Sequence, residues 1–495
     1  MYRLTLYYLI FLVGSASLLS FLGFFKTFSF DDILISSGIV IITSYISNYI
    51  FSKLLSAPTN VESVYITALI LVLIVPVRLP VDLPFLVAAS VVAMASKYLL
   101  TIEKTHVFNP AAVSVAAIAL LSPEHTATWW IGTPIMFPFV LAGGLLLIRK
   151  IERANMVFTF LIAYLVIIGS ATILSGGSIF KVWEISLLRT ALLFFAFVMF
   201  TEPITSPSVS KFRDYYAYVV AFFYATPQLN FLSIGLTPEI ALLLGNVFSY
   251  IVNPKYKLVL PLKFTNWLSP TTAEFAFALP QKIKFNPGQY MEWTLPHKNT
   301  DSRGNRRYFS ISSTPNEEDL KVTVRFNNPS SSYKQFLSKM REGDKIFASQ
   351  LSGDFVLSDD PKPIALIAGG VGVAPFKSMI QDIIEKGIKK DIILIYSNKT
   401  EDEIIFKDLF EKAKGYGVKT VYVLTDVEHL PLGWTGEKGR LNQDKIREII
   451  PDYNQRIFYL SGPQLMVQSF QEILKEMGVK RTQVKKDFFP GYEEK

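Results

Sequence analysis

Apolar and polar positions follow two different rhythms along the chain. Up to about residue 250, apolar runs of near-spanning length succeed one another: 4–25, 32–51, 63–77, 83–100, 129–148, 156–174, 185–200 and 215–227. A bilayer core takes about 20 apolar residues per helix, so these runs predict a polytopic α-helical membrane domain over 1–254. The first run outlasts the apolar stretch of a signal peptide despite Ser15-Ala16-Ser17, so a retained helix is expected. Two more runs, 109–121 and 237–251, reach only about 20 Å at 1.5 Å per residue. They open on Asn109-Pro110 and Thr237-Pro238, a cap followed by a first-turn proline. Pro76 precedes Pro110 by nearly the interval between Pro203 and Pro238. That spacing predicts about ten segments in two five-segment repeats, each closed by a half-helix, although the prolines also suit ordinary packed helices.

Paired half-helices point to a ligand site near the membrane midplane. Their N-terminal dipoles favour an anionic group, such as a flavin phosphate. The candidate residues are Asn109, Thr201, Glu202, Thr237 and Glu239. Arg189 and Glu239 are ionisable groups in or beside spans. Arg189 can equally snorkel to an interface, and Glu239 occupies a first turn that favours a carboxylate anyway. Counted on alternate loops, one side collects most of the Lys and Arg, including Lys53, Lys97, Lys104, Arg149 and Lys150. The other receives Lys26, Arg78 and Lys181. The positive-inside rule then predicts a multi-pass cell-membrane protein, surrounded by lipid, with both termini cytoplasmic.

From Lys257 the rhythm shortens to alternating strands punctuated by Pro287-Gly288 and Glu342-Gly343-Asp344, as in a small antiparallel β-barrel. The expected strands are 257–264, 272–279, 290–295, 308–312, 321–326 and 345–350, within a domain over 255–360. After that, strands at 364–368, 391–396, 418–424 and 456–460 alternate with helices at 376–386, 404–414, 443–450 and 464–477. This is the pattern of a parallel α/β sheet, over 361–495. Gly369-Gly370-Val371-Gly372-Val373-Ala374-Pro375 lies at its first strand-to-helix turn, where glycines let the backbone approach a pyrophosphate. Ser461-Gly462-Pro463 ends a later strand on the side of the sheet where ligands bind.

Composition narrows the chemistry. Half of the 495 residues are hydrophobic and mean hydropathy is +0.33, yet the charged residues gather in the second half. The net charge of +8 is spread along the chain, with no basic patch of the kind that binds nucleic acid. The absence of cysteine excludes disulfides and cysteine-held iron–sulfur clusters. The four histidines, His106, His125, His297 and His429, cannot stack a bis-histidine haem within helices, and neither His297 nor His429 has a second histidine at helical spacing. No metal site is expected.

Phe108-Asn109-Pro110-Ala111-Ala112 and the stretch from Phe200 to Pro207 (F-T-E-P-I-T-S-P) resemble motifs in membrane subunits of Na⁺-translocating NADH:quinone reductases and Rnf complexes. The resemblance covers about the first 255 residues. It implies two inverted five-helix repeats and a flavin within the membrane. In those subunits an S-G-A-T-like motif carries covalent flavin mononucleotide. The corresponding stretch here, from Ser122 to Thr128, lacks that motif, so covalent attachment stays open.

The order R-x-[YF]-S (Arg307-Tyr308-Phe309-Ser310), G-G-x-G-x-x-P, S-G-P-x-x-M and a terminal aromatic segment resembles the ferredoxin–NADP⁺ reductase superfamily over about 257–495. The resemblance implies FAD, with NADH or NADPH as reductant. It assigns Arg307 and Ser332 to the FAD pyrophosphate, Phe309 to stacking on the flavin and Ser310 to its N5 edge, with Ser313 also at the cofactor. Gly369, Gly370, Gly372, Pro375, Gly462 and Pro463 would shape the dinucleotide site. Ser461 stands where many relatives have cysteine, and Tyr492 or Phe489 would cover the other flavin face. Ser310, Ser461 and Tyr492 are the expected catalytic residues. Ser397 and Lys399 could meet a 2′-phosphate that Glu401 and Asp402 would repel. With no cluster and no haem expected, the electrons go to a second flavin (FMN or riboflavin), a quinone or a partner protein. The alternatives are a redox-linked ion or solute transporter and a reductase on a purely anchoring membrane domain.

Overall fold

The computed structural model describes residues 2–55, 61–102, 105–122, 125–229, 236–253, 257–301, 303–358 and 360–487. It divides into two compact units, residues 1–255 and 256–495.

The first unit is helical. Its elements are α1 (Tyr2–Phe21), α2 (Phe30–Leu54), α3 (Val61–Ile74), α4 (Leu83–Leu99), a small hairpin of β1 (Thr101–Ile102) and β2 (Thr105–His106), and α5 (Pro110–Leu121). They continue with α6 (Phe137–Lys150), α7 (Ala154–Leu174), α8 (Ile179–Leu188), α9 (Leu192–Phe194) running on as a π-helical turn (Phe195–Met199), α10 (Ser210–Leu229) and α11 (Pro238–Val252). Both expected half-helices form. Asn109 caps α5 by accepting from the Ala112 N–H at 3.0 Å, and Pro110 takes the first turn, where no N–H is needed. An aromatic cluster fills the interior, with Phe200 stacked on Tyr216 and in contact with Phe160, both at centroid distances of 4.8 Å.

The expectation of about ten spans is corrected. Among the described residues three helices, Arg3–Phe21, Phe30–Leu54 and Ala154–Leu174, are long and apolar enough to cross a bilayer. A fourth span results if Ile179–Leu188 and Leu192–Met199, bent by 63°, count as one. The shortfall has local causes. Trp129 adopts a left-handed conformation (φ 47°) before a single 3₁₀ turn, so the run 129–148 becomes helical only at Phe137. The run 185–200 breaks at Arg189–Ala191. The helix over 215–227 begins early, at Ser210, and takes in Lys211, Arg213 and Asp214.

The second unit holds two six-stranded sheets. The antiparallel one comprises β3 (Lys257–Ser269), β4 (Thr272–Ala278), β5 (Tyr290–Thr294), β6 (Arg306–Ser310), β7 (Asp319–Arg325) and, after the short α12 (Ser332–Leu337), β8 (Lys345–Ser352). Its order is β6-β5-β8-β3-β4-β7, and a bridge from Ile311 to Val322 joins the two edge strands. The sheet therefore closes on itself as a barrel, around Phe275, Phe277, Met291, Trp293 and Val322.

The parallel sheet comprises β9 (Ile364–Gly369), β10 (Ile392–Asn398), β11 (Val418–Leu424), β12 (Glu437–Lys438), β13 (Ile457–Ser461) and β14 (Val484–Asp487). Its helices are α13 (Ala374–Glu385), α14 (Lys407–Lys412), α15 (Gln443–Ile449) and α16 (Gln464–Glu476). The strand order is β12-β11-β10-β9-β13-β14. Every residue of β9 is buried, as a central parallel strand covered on both faces requires. The chain winds one way from β9 through β10 to β12, then crosses back to place β13 on the other side of β9. That reversal opens a crevice at the carboxyl ends of β9 and β13, where ligands bind in open α/β sheets. The helix expected over 404–414 is shorter: residues 401–403 form their own 3₁₀ turn, and Phe406 at φ 60° delays α14 to Lys407.

Candidate active site

The crevice meets the barrel in a cleft of about 750 Å³. Tyr308, Phe309 and Ser310 line it from β6, and Thr323, Val324 and Arg325 from β7. Gly369, Val371, Gly372, Ala374 and Pro375 come from the first turn of the parallel sheet, and Ser461, Gly462, Pro463 and Asp487 from the ends of β13 and β14. Most residues singled out in the second half thus converge on one cavity.

Gly372 shows why a side chain is unwelcome at this turn. A Cβ there would lie 2.5 Å from the Ser461 carbonyl oxygen and 2.6 Å from Gly462 Cα. Gly370 has φ +51°, and its ideal Cβ would stand 3.1 Å from Arg325 Nη1. The two strand ends can therefore close on each other only with glycine between them.

Ser310 is buried, and its hydroxyl donates to Asp487 Oδ2 at 3.2 Å. Asp487 lies beside Ser461 in the β13–β14 register. Asp487 stands at the head of the terminal aromatic segment. Tyr492 and Phe489 lie outside the described residues. Thr323 Oγ1, on the cleft wall, is buried with no hydrogen-bond partner among the described residues.

Arg307 lies on the same face of β6 as Phe309, and both pack against Tyr333 of α12. Its guanidinium lies 5.0 Å from the centroid of the Tyr333 ring and donates to the carbonyls of Arg303, Gly304 and Arg306. It also stands 3.8 Å from Asp301 Oδ1. Asp301 in turn accepts from the Ser332 N–H at 3.0 Å, and the Ser332 hydroxyl accepts from the Asp301 N–H at 3.0 Å. Arg307 and Ser332 are thus brought together through Asp301. Partial burial opposes ionisation of Asp301, but the Ser332 and Arg303 N–H groups and the Arg303 guanidinium hold its carboxyl below the usual range. Lys334 is lowered to about 8, first by burial and then by Arg307, Arg303 and Arg325. This cationic corner can receive an anion. Neither Tyr333 nor Lys334 was assigned from sequence, although the Ser332-Tyr333-Lys334 triplet contained both.

Ser313 is absent from the cleft lining. Its hydroxyl accepts from the Lys321 N–H at 3.0 Å and its carbonyl from Ser378 at 2.6 Å, so it fastens the barrel to α13. Arg325 reaches the opposite way, donating to Glu403 at 2.6 Å.

In the first unit, Asn109, Thr201 and Glu202 share a cavity of about 620 Å³ with Ser63, Thr67 and apolar walls. Asn109 Nδ2 donates to Glu202 Oε2 at 2.8 Å. Thr237 and Glu239 are elsewhere, with Trp129 Nε1 donating to Glu239 Oε2 at 3.3 Å. The two half-helix starts do not converge: the Asn109 N–H donates to Asn246, eight residues into α11 and so about 12 Å from its start. The α5 start also faces a carboxylate of this chain, Glu202, which would repel the expected phosphate.

A dinucleotide crevice packed against an antiparallel barrel, with an R-x-F-S strand between them, defines a flavin reductase module. The profile of the oxidoreductase NAD-binding domain matches residues 366–472. NADH-cytochrome b5 reductase 1 of Mortierella alpina is 30% identical over 219 residues, 42% of this chain and 71% of that protein. A flavohemoprotein of Bacillus thuringiensis subsp. konkukian is 27% identical over 218 residues, 41% of this chain and 53% of that one, so the match spans about half its length. Among solved structures, the FAD/NAD-binding domain of nitric oxide dioxygenase from Vibrio cholerae O1 biovar El Tor matches with TM-score 0.42 at 18% identity, over 47% of this chain and 98% of that one. The chain belongs to the ferredoxin–NADP⁺ reductase family of NAD(P)H-dependent FAD oxidoreductases. These relatives support binding of FAD and NAD(P)H by this module. The residues present fit them: glycines line the strand-end cleft, the Thr323 hydroxyl on its wall has no partner among the described residues, and the corner around Arg307 and Lys334 is cationic.

Proposed function

We propose that the chain is a membrane-embedded NADH oxidoreductase that passes electrons from its second unit to a quinone or flavin held in its first. Bound FAD supplies the chemistry of accepting a hydride and releasing the electrons singly or in pairs. Arg307, Ser332 and Lys334 hold its pyrophosphate, Phe309 supports the isoalloxazine ring, and Ser310, held by Asp487, places its hydroxyl oxygen at the reacting edge. The turn from Gly369 to Pro375 and the Ser461-Gly462-Pro463 end seat the nicotinamide dinucleotide. Glu401, Asp402 and Glu403 form one acidic turn just beyond β10, which favours NADH over NADPH through repulsion of a 2′-phosphate.

Membrane embedding is supported by the outward faces of α1, α2 and α7. Ile10, Phe11, Leu18, Ile42, Ile46, Ile162 and Ile173 are each more than half exposed, an apolar surface that water does not tolerate at this extent. The basic loops favour cytoplasmic termini. The observation that carries electron transfer into the first unit is its cavity: apolar walls with a polar end at Asn109, Glu202 and Ser63 suit a neutral quinone ring better than a phosphate. The test is NADH-driven reduction of a quinone by the purified chain in vesicles, with denaturing extraction and mass analysis for a second flavin. If dyes alone accept electrons and neither carrier is found, the reading falls. A redox-energised transporter is the second reading, favoured by the buried Glu239. NADH-dependent ion flux across proteoliposomes is its signature.

A further inference from the structure

We infer that Glu202 and His106 form a proton inlet to the large cavity of the first unit, supplying the protons that a quinone-class acceptor takes up with its electrons; this rests on the electron-transfer reading above. Two cavities flank Glu202. It lines the larger one itself, together with the apolar side chains of Ile66, Ile70, Leu147 and Val198. The smaller one, of about 240 Å³, is lined by His106, Thr205, Asn246 and Tyr250. The Glu202 carboxylate stands between them with a different set of partners for each oxygen. Oε2 accepts from Asn109 Nδ2 at 2.8 Å and from Thr205 Oγ1 at 3.0 Å. Oε1 faces His106 Nε2 at 3.8 Å, and that ring nitrogen has no hydrogen-bond partner among the described residues. A movement of less than 1 Å would bring the imidazole into hydrogen-bond reach of the carboxylate.

The arrangement answers a chemical need. Reduction of a quinone to quinol takes two electrons and two protons, and an apolar cavity holds no reservoir of either. NADH releases two electrons and one proton as it becomes NAD⁺, so each turnover (NADH + H⁺ + quinone → NAD⁺ + quinol) consumes one proton net. As a quinone oxygen gains charge, the Glu202 carboxylate relays to it a proton drawn from the imidazolium of His106, which reloads from water on the side of the smaller cavity. Histidine suits the outer position because its ordinary pKa lies near neutrality and its two ring nitrogens can receive and deliver.

Charged and titratable groups face Glu202 from every side. His106 comes from β2, Lys97 from α4 and Tyr216 from α10. Lys97 is anchored by donating to Ser63 O at 2.8 Å and to Ser63 Oγ at 3.1 Å. Arg153, from the turn before α7, reaches Ser206, whose hydroxyl donates to the Glu202 backbone carbonyl at 2.5 Å. Lys97 and Arg153 stand near the carboxylate without a direct hydrogen bond to it among the described residues.

The test uses the full chain in liposomes with NADH as donor. Decylubiquinone serves as the proton-requiring acceptor and ferricyanide as the electron-only one. The inference predicts that E202Q slows quinone reduction at least tenfold while ferricyanide reduction stays within twofold of wild type. E202D should recover part of the loss. H106Q should lower the pH at which quinone reduction begins to fail and leave the ferricyanide profile flat. Unchanged quinone rates and pH profile in both E202Q and H106Q, with wild type active toward quinone, would overturn the inlet alone. A wild type that reduces ferricyanide but never quinone would overturn the electron-transfer reading and the inlet with it. Loss of ferricyanide reduction in step with quinone reduction would mean that Glu202 serves folding, and would also overturn the inlet.

Discussion

The hydroxyl of Ser310 and the carboxylate of Asp487 meet at 3.2 Å although 177 positions separate them in the chain. One belongs to the barrel and the other to the last strand of the parallel sheet, so the contact fixes the serine rotamer where the two sheets face the cleft. Removing the hydroxyl should therefore impair turnover more than binding. S310A is expected to lower kcat for NADH-driven ferricyanide reduction on the order of ten- to a hundredfold, with FAD content and KM for NADH nearly unchanged. D487N, which keeps an acceptor oxygen, should do less. Equal loss of bound FAD and of rate in S310A would assign Ser310 to binding instead.

Gly372 sits where no side chain fits. G372A must push apart the ends of β9 and β13, since its Cβ would be 2.5 Å from a backbone oxygen. A destabilisation of about 1–3 kcal/mol is expected, read as a lower unfolding midpoint. KM for NADH should rise at least fivefold.

Nucleotide choice tests the acidic turn after β10. The ratio of kcat/KM for NADH to that for NADPH should exceed ten, and D402R should shrink it by raising the NADPH value. A chain that prefers NADPH would remove any role for Glu401–Glu403 in repelling phosphate.

Lys334 provides a pH test outside the helical unit. Its folded pKa of about 8 lies below the ordinary 10.5 because burial and three arginines disfavour the charge. Between these values the unfolded chain holds a proton that the folded one has shed, so stability rises with pH across that window. Urea midpoints of the FAD-free chain should climb from pH 8 to 10, and K334M should flatten that climb. With FAD bound, a pyrophosphate beside the ammonium restores the charge and the climb should also vanish.

The apolar belt on α1, α2 and α7 should keep the chain in the membrane pellet through an alkaline carbonate wash and release it only to detergent. Release by carbonate would argue against embedding.

Local patterning made much of this molecule readable. The edges of β4, β9 and β11 fall within a residue or so of expectation, because strict alternation or a continuous apolar run ends at a turn. Asn109-Pro110 announced its half-helix through capping chemistry alone. What stayed hidden was set by conformation or by distance in the chain. The left-handed Trp129 shortens a helix through backbone conformation, and the break at Arg189–Ala191 was marked in the sequence only by an ionisable residue within an apolar run. Asp487 and Tyr333 acquire their roles from neighbours that tertiary folding brings in, and no local pattern marks them. Ser313 followed the R-x-F-S strand closely enough to suggest a ligand, yet the Lys321 N–H claims its hydroxyl first. Glu202 was singled out as a carboxylate in the membrane half, while its facing partner His106 entered only as an argument against haem.

The reach from Ser310 to Asp487 also has a meaning for biosynthesis. A growing polypeptide can close its barrel, and even trap cofactor, long before the ribosome has supplied the aspartate that steadies the serine. The Ser310–Asp487 contact is therefore made late in synthesis, once the final strand of the parallel sheet has emerged.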